Sequence, residues 1–499
     1  MALRDWIKKR LKNYKISLNT PDTSLDLKIT AKKKVAVIGS GIAGIAAAAN
    51  LAERGFDVHL FERESYIGGK VGSWTFDSKG ETFRTEHGFH AFFRQYYNLR
   101  GFMQKIGAFK HLIPIDDYVI LYDKNKKQRF KGLETTPGLN IWALRKHGIF
   151  GALTFLNPMS VAFINLLRFD FEKTYEKFDS ESFAHFANKT FMPLKMRLVF
   201  NSFSRAFFAE PEDMSMAELI KSFHFYFLSN DQGLVYDVLD DDFEHSFLGY
   251  CREFIEQKNG KIHLNTPVEK IEKTAKGFVM NDQSFDYAIL CTDVKATKKI
   301  IQNSPELKAY KKTYNQLATL KQTGYYAVYR LWTDRYEADP SLPFFIFIDR
   351  LKCLDSVTLY HKMEKASAQW SKENKGGIFE LHSYIVPKAL NDPEAVKQSL
   401  LDELHHYFPE LEGMAIKHEY FQFRNDFPGF HVGEYENRPT VETEIPGLFL
   451  AGDWVKMDNC TMLMEAAYTS GTLAANAILE KENLQTVQLF SVPPKGLLA

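Results

Sequence analysis

Three glycines and one acid speak most directly of chemistry in this 499-residue chain: Gly39, Gly41 and Gly44 in Gly39-Ser40-Gly41-Ile42-Ala43-Gly44, and Glu62. Such a turn suits a pyrophosphate. Gly39 permits the tight bend, Gly41 lets the backbone come close to the phosphates, and Gly44 lets the following helix pack on the strand before it. Ser40, Ile42 and Ala43 complete the cradle. Glu62 stands 62 − 44 = 18 residues beyond the last glycine, where a carboxylate accepts the hydroxyls of an adenosine ribose and repels a 2′-phosphate. The elements that must position these groups occur in the right order. Val35–Ile38 reads as a short apolar strand, and Ala46–Ala49 with Leu51 as a narrow helix ended by Gly55. Val58–Phe61 reads as a second strand that delivers Glu62. The free N–H groups and positive dipole end of the helix then face the phosphates, so the stretch is predicted to be an ADP-binding βαβ unit.

Other polar clusters lie outside this unit. Glycines 68 and 69 precede Lys70 just after Glu62 and Arg63, and His87 and His90 sit in an aromatic run from Glu86 to Arg100. Either histidine is a candidate base for removing a proton or a structural residue hydrogen-bonded in a turn, and Phe92, Phe93, Tyr96 and Tyr97 are candidates to face a cation or simply to pack. Further on, Lys261–Leu264, Val268–Ile271 and Tyr287–Thr292 read as strands that resume the dinucleotide domain, after an amphipathic helix over 247–255. Val268 is the candidate backbone contact for adenine. Finally the run Pro446–Asp453 reads as a buried strand that delivers Gly452 and Asp453 ahead of a small-residue helix predicted over Met462–Leu479, whose first turn holds Met464.

Length and balance bound the rest. The fold class expected is α/β: a GxGxxG-type, Rossmann-like dinucleotide domain, discontinuous in sequence, with a second mixed α+β substrate domain. The expected division is a basic leader over 1–32, then the dinucleotide domain over 33–115, 240–300 and 441–485. The substrate domain takes 116–239 and 301–440, and a C-terminal tail takes 486–499. Acidic and basic residues nearly cancel, 62 against 63, so nothing points to nucleic acid. Phenylalanine reaches 42 residues, which suits an aromatic-lined cavity as well as an ordinary core. Cys251, Cys291, Cys353 and Cys460 are scattered, which argues against a metal site or a disulfide framework and fits a reducing cytoplasm. The N-terminus lacks the apolar run of a signal peptide. In the leader, Trp6, Ile7, Leu11 and Tyr14 recur at helical spacing among lysines and arginines. They suit a short interfacial helix on an anionic membrane, or a solvated leader that frays. The uncharged stretch 148–167 is interrupted by Asn157, Pro158 and Asn165, so it reads as helices of the substrate domain, buried or dipping into one leaflet.

With these residues placed, the glycine doublet followed by Lys70 resembles the second signature of the flavin amine oxidase and carotenoid desaturase superfamily. Closer still, His87–Arg100, Phe203–Leu219, Phe223–Val238, Gly376–Tyr384, Leu450–Lys456 and Leu463–Leu479 resemble the isorenieratene synthase family. Those enzymes are FAD-dependent β-carotene desaturases/methyltransferases of aromatic-carotenoid pathways. The resemblance covers nearly everything after residue 33. It implies FAD as cofactor, held by the first glycine turn, Glu62, Arg63, the doublet with Lys70, Gly452-Asp453 and the helix start at Met464. It also implies an apolar isoprenoid substrate and a protein at the membrane surface. Two departures stand out: Lys70 replaces an arginine and loses its bidentate fork, and Met457–Thr461 is more polar than the family's stretch there. Other readings are a desaturase or isomerase of an acyclic carotenoid, an amine oxidase-like enzyme, or a non-enzymatic isoprenoid escort.

Overall fold

A computed structural model describes the chain except residues 1–2, 116, 124–125, 130, 133, 141–142, 144–159, 193–196, 198–199, 202–203, 234 and 391. Five parallel strands form the sheet that carries the glycine turn. Their order is Lys261–His263, Asp57–Phe61, Lys34–Ile38, Tyr287–Leu290, Leu448–Leu450. The sheet thus gathers strands from three distant parts of the chain around the first βαβ unit. The Ile42–Glu53 helix follows the central strand and is buried from Ile42 to Ala52, because its alanine-rich surface lets neighbours approach. Its closest partner is the Leu463–Lys481 helix. There Asn50 Nδ2 donates to Thr472 Oγ1 at 3.1 Å, and Gly471 leaves no room for a side chain, since a Cβ would overlap the Ala43 carbonyl.

A second, seven-stranded sheet runs in the order Ile416–Arg424, Tyr326–Thr333, Ile378–Ser383, Ser356–Leu359, Phe345–Ile348, Val119–Asp123, Lys126–Arg129. Its pairings are antiparallel except that of Phe345–Ile348 with Val119–Asp123. Every residue of Tyr326–Thr333 is buried, as expected for a strand covered on both faces.

Some local expectations shift. The helix expected from 247 is α-helical over Gly249–Gln257 and begins with a π-helical turn at Glu244–Leu248. No strand forms at Val268–Ile271. Pro267 removes a ladder donor, and the strand begins instead at Glu272–Thr274, in a small antiparallel sheet with Gly277–Met280 and Gln283–Phe285. The leader does form a helix, Leu3–Arg10, but Ile7, Leu11 and Tyr14 are buried against Leu139 and Leu497. That face is therefore spent inside the chain, while Leu3 and Trp6 of the same helix are exposed. The two ends of the chain are tied together. Ile16–Ser17 pairs with Phe490–Ser491, and Arg10 bonds the carbonyl of Leu497. Of the apolar stretch 148–167, residues 148–159 lie outside the described residues; the remainder enters the Ser160–Leu167 helix. No helix among the described residues is long and apolar enough to cross a membrane. The four cysteines are free and buried.

Candidate active site

Each parallel strand ends on a residue or loop that lines one cavity of about 1330 Å³. Ligands of doubly wound sheets bind at this carboxyl edge. The glycine turn leaves the central strand there. Gly39 takes a φ of +95° that L side chains rarely adopt. A Cβ on Gly44 would fall on the Gly39 carbonyl, so this glycine closes the helix onto the turn rather than lining the cavity. Gly41 is different: a Cβ there would meet no protein atom within 4 Å, because it would point into open space. The glycine doublet packs directly on this turn. The Gly68 N–H donates to the Ser40 carbonyl at 2.9 Å. A Cβ on Gly69 would stand 3.0 Å from Gly41 Cα.

The acids and cations converge on the same edge. Glu62 is buried and accepts from the Ser40 N–H at 3.0 Å and the Ser40 hydroxyl at 2.6 Å. It also accepts from the Glu64 N–H at 3.0 Å. Lys70 Nζ stands 3.7 Å from Asp453 Oδ2 and 4.5 Å above the Phe427 ring. Gly452 hydrogen-bonds Ser470 on the Leu463–Lys481 helix, at 2.9 Å. Leu463 opens that helix with a φ of +49°, a costly turn for a branched residue, and Leu463 and Met464 reach the cavity. Ser40, Ile42, Ala43, Arg63 and Val268 also line it. This set fits the FAD of the sequence reading: an open cradle at Gly41, N–H groups at a helix start, an acid for a ribose, and a lysine for a diphosphate.

Beyond Lys70 the lining turns aromatic. Phe93 and Tyr96 face the cavity, and Tyr226 bonds Tyr96 through paired hydroxyls 2.9 Å apart. Phe92 and Tyr97, expected beside them, face away. Phe92 packs on Phe243, with ring centroids 6.0 Å apart, and the Tyr97 hydroxyl donates to the Tyr14 carbonyl at 2.6 Å. On another wall Phe208 and Phe427 stack with centroids 3.5 Å apart. Phe208 holds a φ of +60°, and Arg205, three residues before it, is fixed to buried Asp355 at 2.9 Å.

Both histidines reach this region. His87 is buried, its Nδ1 2.8 Å from the Tyr326 hydroxyl and its Nε2 3.1 Å from Arg424 Nη1. Burial first, and the Arg424 charge second, hold it neutral by pushing its pKa well below the usual value. His90 Nδ1 lies 2.7 Å from the Gly88 carbonyl, and burial brings this imidazole down to about 4. Behind the His87–His90 turn sits a buried ionic cluster. Glu380 accepts from Arg330 Nε at 2.7 Å, from the Phe89 N–H at 3.1 Å, and pairs with His382 at 2.8 Å. Burial alone would raise Glu380; Arg330 and His382 together outweigh it and hold the carboxyl at about 2. Glu86 next to the turn is pushed well up, by burial and then by Glu364.

Arg424, Phe427, Phe208 and Tyr226 were not singled out from sequence. The polar trio Arg424-Asn425-Asp426 inside a phenylalanine-rich run was the available signal. No cluster of metal-ligating side chains occurs among the described residues.

Comparison with known proteins bears on the family and the fold. The profile of the family described as flavin containing amine oxidoreductase matches residues 42–479. A carotenoid phi-ring synthase of Streptomyces griseus is 35% identical over 474 residues, covering 93% of this chain and 90% of that protein. A second carotenoid phi-ring synthase, from Chlorobaculum tepidum, is 25% identical, covering 95% and 92%. Among solved structures, an oxidoreductase from Methanosarcina mazei has a TM-score of 0.63 at 16% identity, covering 90% of this chain and all of that one, which is a likeness of fold.

Proposed function

Because the chain belongs to the family of flavin containing amine oxidoreductases, and is an FAD-dependent oxidoreductase, we propose that it acts in carotenoid biosynthesis, desaturating a β-ionone ring and shifting one methyl group to make the ring aromatic. The observation that carries this reading is the continuity of the cavity, which runs from the dinucleotide cradle at Gly41 into the aromatic walls at Phe93, Tyr96 and Phe208. A long apolar substrate can lie along those walls with one end beside the cofactor position. The resemblance to phi-ring synthases supplies the ring chemistry.

Converting a β-ionone ring into a trimethylphenyl ring removes four hydrogens, as two hydrides and two protons, and moves one geminal methyl to its neighbouring carbon. FAD, when bound, supplies the hydride acceptor, reoxidised between rounds by an external two-electron acceptor. The chain's own residues do the rest. The glycine turn, the doublet with Lys70, Glu62 and Asp453 bind and orient the cofactor. The aromatic walls exclude water that would capture a ring cation, and each ring face turned to that cation stabilises it by about 2 kcal/mol when desolvated. The methyl shift then needs only a cation that survives long enough. Exposed Leu3 and Trp6, beside Lys8, Lys9 and Arg10, support reversible attachment to an anionic membrane surface, where such a substrate dissolves.

Expression in a host that makes β-carotene, followed by pigment analysis, tests the proposal. Carotenoids with aromatic end rings carrying a migrated methyl are the expected result. Hydrogen loss from the polyene with both rings unchanged would replace this reading with that of an acyclic-type desaturase. A purified protein without flavin would favour the escort.

A further inference from the structure

We infer that His90, through its Nε2 atom, is the group that takes the ring proton, and that His87 is not. The inference rests on the ring-aromatising reading above and assigns one of its steps.

The hydrogen-bond partners decide between the two imidazoles. Arg424 can only donate, so the Nε2 lone pair of His87 is used in accepting from Nη1 at 3.1 Å. In the neutral ring Nδ1 then carries the hydrogen and donates to the Tyr326 hydroxyl at 2.8 Å. No lone pair of His87 is left to receive a proton. His90 is arranged the opposite way. The Gly88 carbonyl can only accept, so Nδ1, 2.7 Å away, carries the hydrogen. The lone pair therefore sits on Nε2. No described residue hydrogen-bonds that atom, and the His90 side chain lines the cavity.

The surroundings hold His90 in this state. Gly88 takes a φ of +126°, a conformation that L side chains rarely adopt. A Cβ there would stand 2.8 Å from His382 Cε1, so the turn is pressed against the residue that pairs with Glu380. The next N–H, of Phe89, is fixed to Glu380 itself at 3.1 Å. The Phe243 ring abuts the imidazole edge-on with centroids 5.5 Å apart. Glu380, His382 and Arg330 are thus positioning residues for a base that does not touch them.

The chemistry asks for little basicity. In the step assigned, a C–H bond beside the cationic carbon breaks, its electron pair becomes the new ring double bond, and the proton adds to Nε2. A C–H next to a carbocation is a strong acid, so an imidazole weakened by burial suffices. Its neutrality also avoids placing a fixed positive charge against the ring cation. Each ring loses two protons, one per round of oxidation; Nε2 passes the first to water while the cofactor is reoxidised and the second to water when the product leaves.

The test uses FAD-loaded wild type, His90→Ala, His90→Gln and His87→Gln with β-carotene, reading flavin bleaching anaerobically first and then aromatic product after an external two-electron acceptor is added for the second round of oxidation. For His90→Ala and His90→Gln, flavin and carotenoid should remain bound and bleaching should persist. Aromatic product should fall by roughly 10²–10⁴-fold. Free imidazole should restore product in His90→Ala, a rescue that a structural role would not give. His87→Gln can keep both polar contacts of the neutral ring and should lose less than about tenfold. Undiminished aromatic product from His90→Gln, or a large loss confined to His87→Gln, overturns the assignment alone. No aromatic product from wild type overturns the reaction and the assignment with it.

Discussion

Replacing Glu62 by glutamine removes one charge and should cost far more than that charge's contact with a ribose. The carboxylate already serves three donors of its own chain: the Ser40 N–H at 3.0 Å, the Ser40 hydroxyl at 2.6 Å and the Glu64 N–H at 3.0 Å. A carboxylate has two accepting oxygens; the amide has one, and its NH₂ must then face one of those N–H groups. Losing a hydrogen bond to a charged group, or leaving a buried donor unpaired, costs about 1–3 kcal/mol. A net loss of that size weakens FAD binding by roughly 5–150-fold. Part of it acts through the Gly39–Gly44 turn, which Ser40 ties to Glu62. Ser40→Ala removes only the hydroxyl and should cost about 1 kcal/mol, less than tenfold. The double variant should bind no worse than Glu62→Gln, because the serine hydroxyl acts through the same carboxylate. Fluorescence titration of the apoprotein with FAD measures all four proteins. If Glu62→Gln binds FAD within twofold of wild type, the reasoning fails.

Three further outcomes follow from packing, burial and exposure. Gly471→Ala drives a methyl into the Ala43 carbonyl and should destabilise by about 1–3 kcal/mol or more, while Gly101→Ala, whose Cβ meets no atom within 4 Å on the Tyr97–Lys105 helix, should be neutral or stabilise by up to about 1 kcal/mol; denaturant unfolding of the FAD-loaded protein separates them. His224 is stacked on Phe169 with centroids 4.2 Å apart, and burial lowers its pKa from 6.5 to about 4. The unfolded chain therefore binds the extra proton between those values, and its share of stability, full above pH 6.5, drains away as pH falls toward 4, at up to about 1.4 kcal/mol per pH unit. His224→Gln should show a shallower fall in thermal midpoint across that window, and an unchanged slope would refute the attribution. Trp6→Glu should weaken binding to anionic vesicles at low salt by roughly tenfold or more; vesicle flotation that is the same for both proteins would remove Trp6 from the contact.

The cofactor edge was legible because its signals are local. Glycine spacing, an apolar strand and a terminal acid sit within thirty residues, and the returning Gly452-Asp453 pair announces itself by the same strand-then-turn pattern. What the sequence hid depends on partners far away in the chain. Ile7, Leu11 and Tyr14 have the spacing of a membrane-binding face; that Leu139 and Leu497 cover it is tertiary information. Phe92 and Phe93, or Tyr96 and Tyr97, lie in or beside an irregular stretch with no long period, so nothing local says which of each pair faces the cavity. The two histidines look alike in sequence and differ only because Arg424, 337 positions away, reaches one of them. Val268–Ile271 is a simpler case: the proline immediately before it cannot donate to a ladder, and the strand starts only at Glu272.

The five-stranded sheet has a temporal meaning as well as a spatial one. Its edge strand Leu448–Leu450 leaves the ribosome 448 − 44 = 404 residues after the last glycine of the turn, and the Leu463–Lys481 helix that packs on Ile42–Glu53 follows it. At about 5–20 residues per second, the glycine turn waits on the order of tens of seconds for the elements that close over it. For that interval the alanine-rich helix and the central strand lack their cover, and the cradle at Gly41 lacks Asp453. The cradle is therefore complete only once these later elements have emerged. A stalled or truncated chain that already contains the whole glycine fingerprint would still emerge colourless, with an uncovered apolar helix for chaperones to recognise.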